Sequence, residues 1–216
     1  MKGAIIGDIV GSSYRDKNTF SYNFPLFTKE SQFGNITSYS ISIADSLLQD
    51  KPFTQVPECV NVLTVLSSLG LSNLSPQMAF DKVSKVTTEY TLPSSIAYTI
   101  ILRRLKKYRD KSLVSSALIE SLGKRWVKKI PKVGERVEEA QDILSLSAYL
   151  FLLSNTFVDS LRLAVSYGGN SPMVASVVCS IAEAFYGVPE NLWIMFKKYL
   201  PESMLQTIDQ FYNSLY

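Results

Sequence analysis

Hydrophobic and polar residues follow helical spacing along most of the chain, and the strongest pattern lies between Met173 and Phe185. Almost every position there is apolar or small, and Glu183 carries the only charge. A helix that is apolar on nearly all faces belongs in the interior of a domain rather than on its surface. We therefore predict a buried helix over residues 172–186, around which the rest of the chain is organised.

The turn before this helix has a distinctive glycine and proline pattern. Gly168 and Gly169 are expected to end the preceding helix, because glycine takes the left-handed cap conformation without a Cβ penalty. Ser171 is a suitable N-cap and Pro172 a suitable first helical residue. The unpaired N–H groups at such a helix start favour anions. Gly169, Asn170 and Ser171 are therefore candidate ligand-binding residues.

A second pattern predicts a helix over residues 1–13. Gly3, Gly7 and Gly11 are spaced four apart and share one helical face. Each glycine costs about 1 kcal/mol relative to alanine inside a helix, so the three are expected to allow close approach of another helix. Asp8 lies in the same apolar segment, where a carboxylate must be paired, hydrogen-bonded or turned into a cleft.

The remaining segments also favour helices. Residues 15–35 lack periodicity and form a predicted loop of a length that is often functional. The alternation in Ser38-Tyr-Ser-Ile-Ser-Ile43 is typical of a strand as well as of a helix face. Helices are predicted over 37–48, from Pro57 to Gly70, from Pro76, through 96–105, over 137–154, from Thr156 to Gly168, and from Pro189 and Pro201 onward. Without a hairpin signal or repeat, we predict one all-α domain over residues 1–216.

Composition excludes several classes of function. The chain has no histidine, which excludes an imidazole base, a His-dependent nucleophile pair and His-ligated zinc. A net charge of +3 is too small to indicate a nucleic-acid partner. No apolar run is long enough to span a membrane, and Asp8 interrupts the first apolar run too early for a signal peptide. Cys59 and Cys179 are interpreted as buried thiols, and the expected location is the cytoplasm.

Two stretches, 103–111 and 124–132, are rich in lysine and arginine. Cations near the C-terminus of a helix complement its dipole and solvate an exposed face. We interpret both stretches in this way, and an RNA or phosphate surface is the alternative.

Several segments together resemble the ADP-ribosylglycohydrolase family. They are Gly3 to Tyr14, Ile43 to Leu48, Ala164 to Ser171 and Ile181 to Glu190, with Gln141-Asp142 as a further block. The resemblance implies a compact orthogonal helical bundle with a cleft that binds ADP-ribose over two magnesium ions. It also implies hydrolysis that releases ADP-ribose from a modified side chain.

The family's site motifs are replaced in this chain. After Phe33, where the family has threonine-aspartate-aspartate-threonine, the sequence is Gly34-Asn-Ile-Thr37. After the paired glycines, the family's two-aspartate turn is replaced by Asn170-Ser-Pro-Met173. Arg15 stands where the family has a metal-linked glutamate, and residues 86–93 lack the family's histidine. Mg²⁺ needs several oxygen ligands, usually carboxylates, so we predict no metal, no cofactor and no catalytic residue.

The predicted function is that of a catalytically inactive relative. Its degenerate cleft is expected to bind ADP-ribose, a related nucleotide or a protein partner through Asp8, Arg15, Asn35, Gly169, Asn170 and Ser171. One alternative is an active hydrolase of ADP-ribosyl bonds with Asp8 or Asp142 as the general base. Another is an interaction module whose cleft is filled by side chains.

The resemblance also makes two geometric predictions. The loop after Phe33 and the turn from Gly169 to Met173 should lie together near the start of the buried helix. Arg15 should point toward the former metal position and pair with Asp8 or with an anion, since a guanidinium suits phosphate and carboxylate. The alternative for Arg15 is an exposed side chain in a loop.

Overall fold

The computed structural model describes residues 1–57, 60–124 and 130–216, and all regular secondary structure in these ranges is helical. The helices are α1 Lys2–Ser12, α2 Asn35–Leu48, α3 Ser67–Leu71, α4 Pro76–Ser84, α5 Leu92–Tyr108, α6 Ser112–Leu122, α7 Ala140–Leu153, α8 Phe157–Tyr167, α9 Ser171–Tyr186, α10 Glu190–Phe196 and α11 Glu202–Asn213. Short 3₁₀ segments span Val62–Val65 and Lys197–Tyr199. The all-α prediction is confirmed. Over the described ranges, no helix combines the length and apolar character needed to cross a membrane.

Helix α9 is the buried helix that the sequence predicts. Nearly all of its residues are buried, and it packs against α1, α5, α7 and α8. Asn170, and not Ser171, is its N-cap, so the predicted cap is wrong by one residue. Proline is tolerated at the second helical position as well as the first, since the first four N–H groups of a helix have no partner within it.

Helices α1 and α9 cross at very close range along the glycine face of α1. A Cβ added at Gly11 would lie 2.6 Å from the Cα of Pro172, and one at Gly7 would collide with the backbone of Ala175. Gly3 likewise faces the backbone of α9. The predicted packing role of the three glycines is confirmed, and their order makes the two helices antiparallel.

Helix α2 forms despite its strand-like alternation. Its buried positions recur at 36–37, 40–41 and 43–44, which is the spacing of one helical face. It begins at Asn35, two residues before the predicted start.

The predicted helix from Pro57 to Gly70 is wrong. Among its described residues, only the 3₁₀ segment Val62–Val65 and the five-residue α3 are helical; Cys59 lies outside them. Asn61 fixes the alternative backbone, because its side chain accepts from the N–H of Leu63 at 3.1 Å and donates to the carbonyl of Glu138 at 2.8 Å. The apolar residues of this segment would be buried in a continuous helix as well as in the observed backbone. Their pattern therefore does not distinguish the two conformations.

The predicted helix over 137–154 starts later, at Ala140.

Cys179 is a buried free thiol, as expected, and burial raises the pKa of that thiol. Residues 125–129 of the second basic stretch lie outside the described residues.

Candidate ligand-binding cavity

A cavity of about 480 Å³ opens where the end of α1 meets the starts of α2 and α9. Two segments line it, the first through Gly34, Asn35 and Ile36, the second through Asn170, Pro172 and Met173. We call it the central cavity. The prediction that these two segments converge near the start of the buried helix is confirmed.

Asp8 lies beneath this cavity rather than in its wall. Its carboxylate has no exposed surface. Oδ2 accepts hydrogen bonds from the N–H of Gly34 at 2.8 Å and from the N–H and hydroxyl of Thr37 at 3.1 and 2.7 Å. Gly34 is the N-cap of α2 and has no side chain, so Asp8 supplies the acceptor that an N-cap residue normally provides.

The electrostatic state of Asp8 follows from this environment. Burial raises the pKa of its carboxyl, while the hydrogen bonds from Thr37 and Gly34 and the positive charge of Arg15 oppose that rise. Asp8 does not line the central cavity, and its Oδ2 atom is engaged by Gly34 and Thr37, so its position does not support the expectation that it contacts a ligand. Its role in the structure is to fix the start of that helix.

Arg15 lines the central cavity, and its side chain is exposed in the loop after α1, as the alternative interpretation expects. The structure shows no ion pair between Arg15 and Asp8, so that part of the prediction is wrong, while pairing with an anion stays a prediction. Arg136 provides a second cation and pairs with the exposed carboxylate of Glu138 at 3.0 Å. Asp16 is the one acidic side chain among the described residues that line the cavity.

Arg136 was missed by the sequence interpretation. It follows the short loop over 130–135, which no motif connects to the cavity. The loop is held in place by long-range bonds: the N–H of Gly134 donates to the carbonyl of Tyr167 at 2.8 Å, and the Tyr167 hydroxyl donates to the carbonyl of Pro131. A local sequence pattern does not contain this information.

Asn35 and Asn170 differ in their surroundings. Asn35 is exposed at the start of α2. Asn170 is buried, and its amide nitrogen donates to the sulfur of Met173 at 3.1 Å and to the carbonyl of Val137 at 3.4 Å. The Asn170 amide therefore donates its N–H groups to these two acceptors. A metal site would need oxygen ligands instead.

Gly169 and Ser171 do not line the central cavity. Gly169 has a φ of +76°, and its N–H donates to Oδ1 of Asn18 at 3.1 Å. A Cβ there would also collide with the backbone of Glu135. Ser171 is fully buried. Both residues therefore help to fix the start of α9 and do not contact the cavity directly.

The residues present do not fit a pair of magnesium ions. Ile36 and Pro172 have no side-chain oxygen, and Asp8 is engaged by α2. Asp45 accepts from Gln49 at 2.6 Å and lies away from the lining, as does Asp142 in the first turn of α7. Over the ranges that the structure describes, no three His, Cys, Asp or Glu side chains are grouped as metal ligands.

Comparison with known proteins identifies a similar fold. A chain from a solved ADP-ribosylglycohydrolase-related protein complex superposes with a TM-score of 0.73, covering 99% of this chain and 95% of that chain at 17% sequence identity. No family model and no curated protein sequence matches this chain. At this low identity, the similarity shows a shared all-α fold.

Proposed function

We propose that the protein binds ADP-ribose or a related nucleotide in the central cavity without a metal ion and without hydrolysing it. The observation that carries the proposal is the wall of that cavity. Two guanidinium groups, Arg15 and Arg136, stand around it, while the positions of the replaced motifs present only neutral side chains. The similarity in fold to an ADP-ribosylglycohydrolase-related protein supports the choice of ligand class.

The charges of the cavity suit a pyrophosphate. An arginine fork forms paired, charge-assisted hydrogen bonds with phosphate oxygens. In a two-metal site, magnesium would neutralise that charge. Here Arg15 and Arg136 supply positive charge without a metal, and both are exposed enough to reach a ligand.

The size of the cavity also supports binding. Ligand pockets for small molecules commonly occupy about 300–1,000 Å³, and the central cavity has about 480 Å³. This open volume does not favour the alternative in which side chains fill the cleft.

The hydrolase alternative lacks a well-placed base. Asp8 is buried and bonded to α2, and Asp142 does not line the cavity. Asp16 does line it, on an exposed loop. If an ADP-ribosylated protein substrate were hydrolysed, Asp16→Asn would identify whether this carboxylate acts as the base.

Calorimetric titration with ADP-ribose, in chelator and in Mg²⁺, tests the proposal. We expect the same affinity under both conditions, because no ligand set for magnesium is present. Arg15→Gln should weaken binding about tenfold, since a hydrogen bond to a charged group contributes about 1.5–3 kcal/mol.

Lys17→Gln is the matched control, because it removes one positive charge from the same loop at a residue that does not line the cavity. It should leave the affinity nearly unchanged. Binding that requires Mg²⁺, or release of ADP-ribose from a modified protein, would overturn the proposal.

A further inference from the structure

A second cavity lies on another face of the molecule, between α3, α4 and the C-terminal half of α5. Its volume is about 750 Å³, and it shares no lining residue with the central cavity. Four cations line it: Arg103, Arg104, Lys106 and Lys107. Among its described lining residues none is acidic. We call this cavity the basic groove.

Two of these cations do not extend into solvent as a simple exposed face would require. Arg103 donates to the carbonyls of Ser72 and Leu74, and Lys106 donates to the carbonyl of Leu71 at 2.7 Å. Both side chains are half-buried, and burial lowers the pKa of each. The interpretation of this stretch as a solvated face is therefore wrong for Arg103 and Lys106.

The other two cations differ in how they are held. Arg104 forms two hydrogen bonds with the carboxylate of Glu120, at 3.0 and 2.8 Å. Lys107 is exposed beside the ring of Tyr108, with its ammonium 4.8 Å from the ring centre. Within the described ranges, Lys107 has no carboxylate partner. The groove thus holds more positive charge than its own acids balance.

Apolar residues form another part of the wall, beside the polar Ser72 and Asn73. Phe80 and Ile100 contribute hydrophobic surface, and Tyr108 stands at the edge with an exposed ring. Aromatic side chains of this kind offer a face on which a planar group stacks. A site that combines clustered cations with aromatic surface suits a ligand that has both a polyanionic part and an aromatic part.

We propose that the basic groove binds a small aromatic organic polyphosphate, with its phosphates near Lys106 and Lys107 and its ring against Phe80 or Tyr108. The volume lies within the range of small-molecule pockets. A long RNA or a membrane would need a broad basic surface instead of one concave site. The inference is independent of the proposed function, because the two cavities share no residue.

Calorimetric titrations with ATP and with inorganic tripolyphosphate, both in magnesium-free buffer, test the aromatic contact and the phosphate contacts separately. ATP should bind, and tripolyphosphate should bind about tenfold more weakly because it lacks a ring to stack. Raising the salt concentration should weaken both, since exposed charges are screened.

Lys107→Gln is the test variant, because the described contacts of Lys107 do not hold the fold together. We expect it to weaken ATP and tripolyphosphate binding about tenfold. Phe80→Leu should weaken ATP alone. Lys198→Gln, which removes an exposed cation in the 3₁₀ segment Lys197–Tyr199, should change neither affinity.

Three results would overturn the inference. The first is equal ATP affinity in wild type and Lys107→Gln. The second is loss of ATP binding in Arg15→Gln with Lys107→Gln unaffected, which would assign the nucleotide to the central cavity. The third is binding of an RNA oligonucleotide or anionic vesicles through Lys107 without binding of ATP.

Discussion

Two carboxylates are buried along the α1–α9 contact, one near each end, and their partners differ. Glu183 accepts from the amino group of Met1 at 2.6 Å, from the N–H of Gly3 at 2.8 Å, and from the Tyr212 hydroxyl. Among the described residues, Asp8 accepts only from neutral donors of Gly34 and Thr37, apart from a long 3.4 Å contact with the Ser12 hydroxyl.

We call the Glu183 end of the α1–α9 pair the closed end and the Asp8 end the open end. At the Glu183 end, α11 contributes the Tyr212 hydroxyl, which bonds to Glu183 and to the N–H of Lys2. Burial together with the charge of Glu183 raises the pKa of Tyr212. At the Asp8 end, the carboxylate accepts from the start of α2, and the charged side chains of the central cavity above it are those of Arg15, Asp16 and Arg136. The cavity can therefore change its chemistry while the helix contact below it is retained.

Removing the closed end's carboxylate should have the largest effect on stability. Glu183→Ala leaves a buried amino group, the Gly3 N–H and the Tyr212 hydroxyl without their acceptor, and breaking a buried ion pair costs about 3–5 kcal/mol. Tyr212→Phe should cost about 2 kcal/mol, because it removes the hydrogen bond to Glu183 and the one from the N–H of Lys2. Denaturant unfolding measures both.

Glu89→Ala, at an exposed carboxylate in a loop, is the control and should stay within about 0.5 kcal/mol of wild type. Equal costs for Glu183→Ala and Glu89→Ala would show that the closed end does not depend on its carboxylate.

Rebuilding acidic ligands at the open end should make stability depend on magnesium. The substitutions are Asn35→Asp, Ile36→Asp, Asn170→Asp, Pro172→Asp and Met173→Thr. Gly34 is left unchanged, because a Cβ there would lie 3.1 Å from Oδ1 of Asp8. Clustered carboxylates repel one another without metal and should lower the free energy of unfolding. A ligand at 100 times its Kd adds about 2.7 kcal/mol to that free energy.

Thermal unfolding of this variant in chelator and in Mg²⁺ is the measurement, with Asn35→Asp alone as the control. The single variant should not respond to Mg²⁺. If the multiple variant is folded and also gives no response at millimolar Mg²⁺, the backbone at the open end no longer brings the ligand positions together.

The sequence predicts the two ends unequally well. The glycine spacing of α1 and the apolar length of α9 identify the closely packed helix pair, because both are local patterns with one physical explanation. The convergence of Asn35 and Asn170 follows from the family resemblance. Arg136 and the N-cap role of Asp8 depend on contacts with residues far away in the chain, and local patterns do not report such contacts.

Between the two carboxylates, Gly7→Ala tests how closely the helices must approach. The added methyl would meet the backbone of Ala175 and Ser176, which cannot move aside as a side chain can. Overpacking costs about 1–3 kcal/mol and alanine regains about 1 kcal/mol of helix propensity, so we expect a net loss of about 2 kcal/mol or less. Gln206→Ala, on the exposed face of α11, should be near neutral. A more stable Gly7→Ala protein would contradict the close contact.

The effect expected at Asp8 should depend on pH. Burial raises the pKa of this carboxyl in the folded protein, so the stability that its protonated form contributes is present below the ordinary pKa near 4 and is lost as pH rises through the folded value. Asp8→Asn keeps an oxygen acceptor for Gly34 and Thr37 and does not titrate.

The variant should therefore gain stability relative to wild type between pH 4 and pH 7, by about 1.4 kcal/mol for each unit that separates the folded and unfolded pKa. Urea unfolding of both proteins at the two pH values gives the difference directly. A relative loss of stability in Asp8→Asn as pH rises would mean that the neutral donors of α2, with the charge of Arg15 nearby, favour the ionised carboxylate more than burial disfavours it.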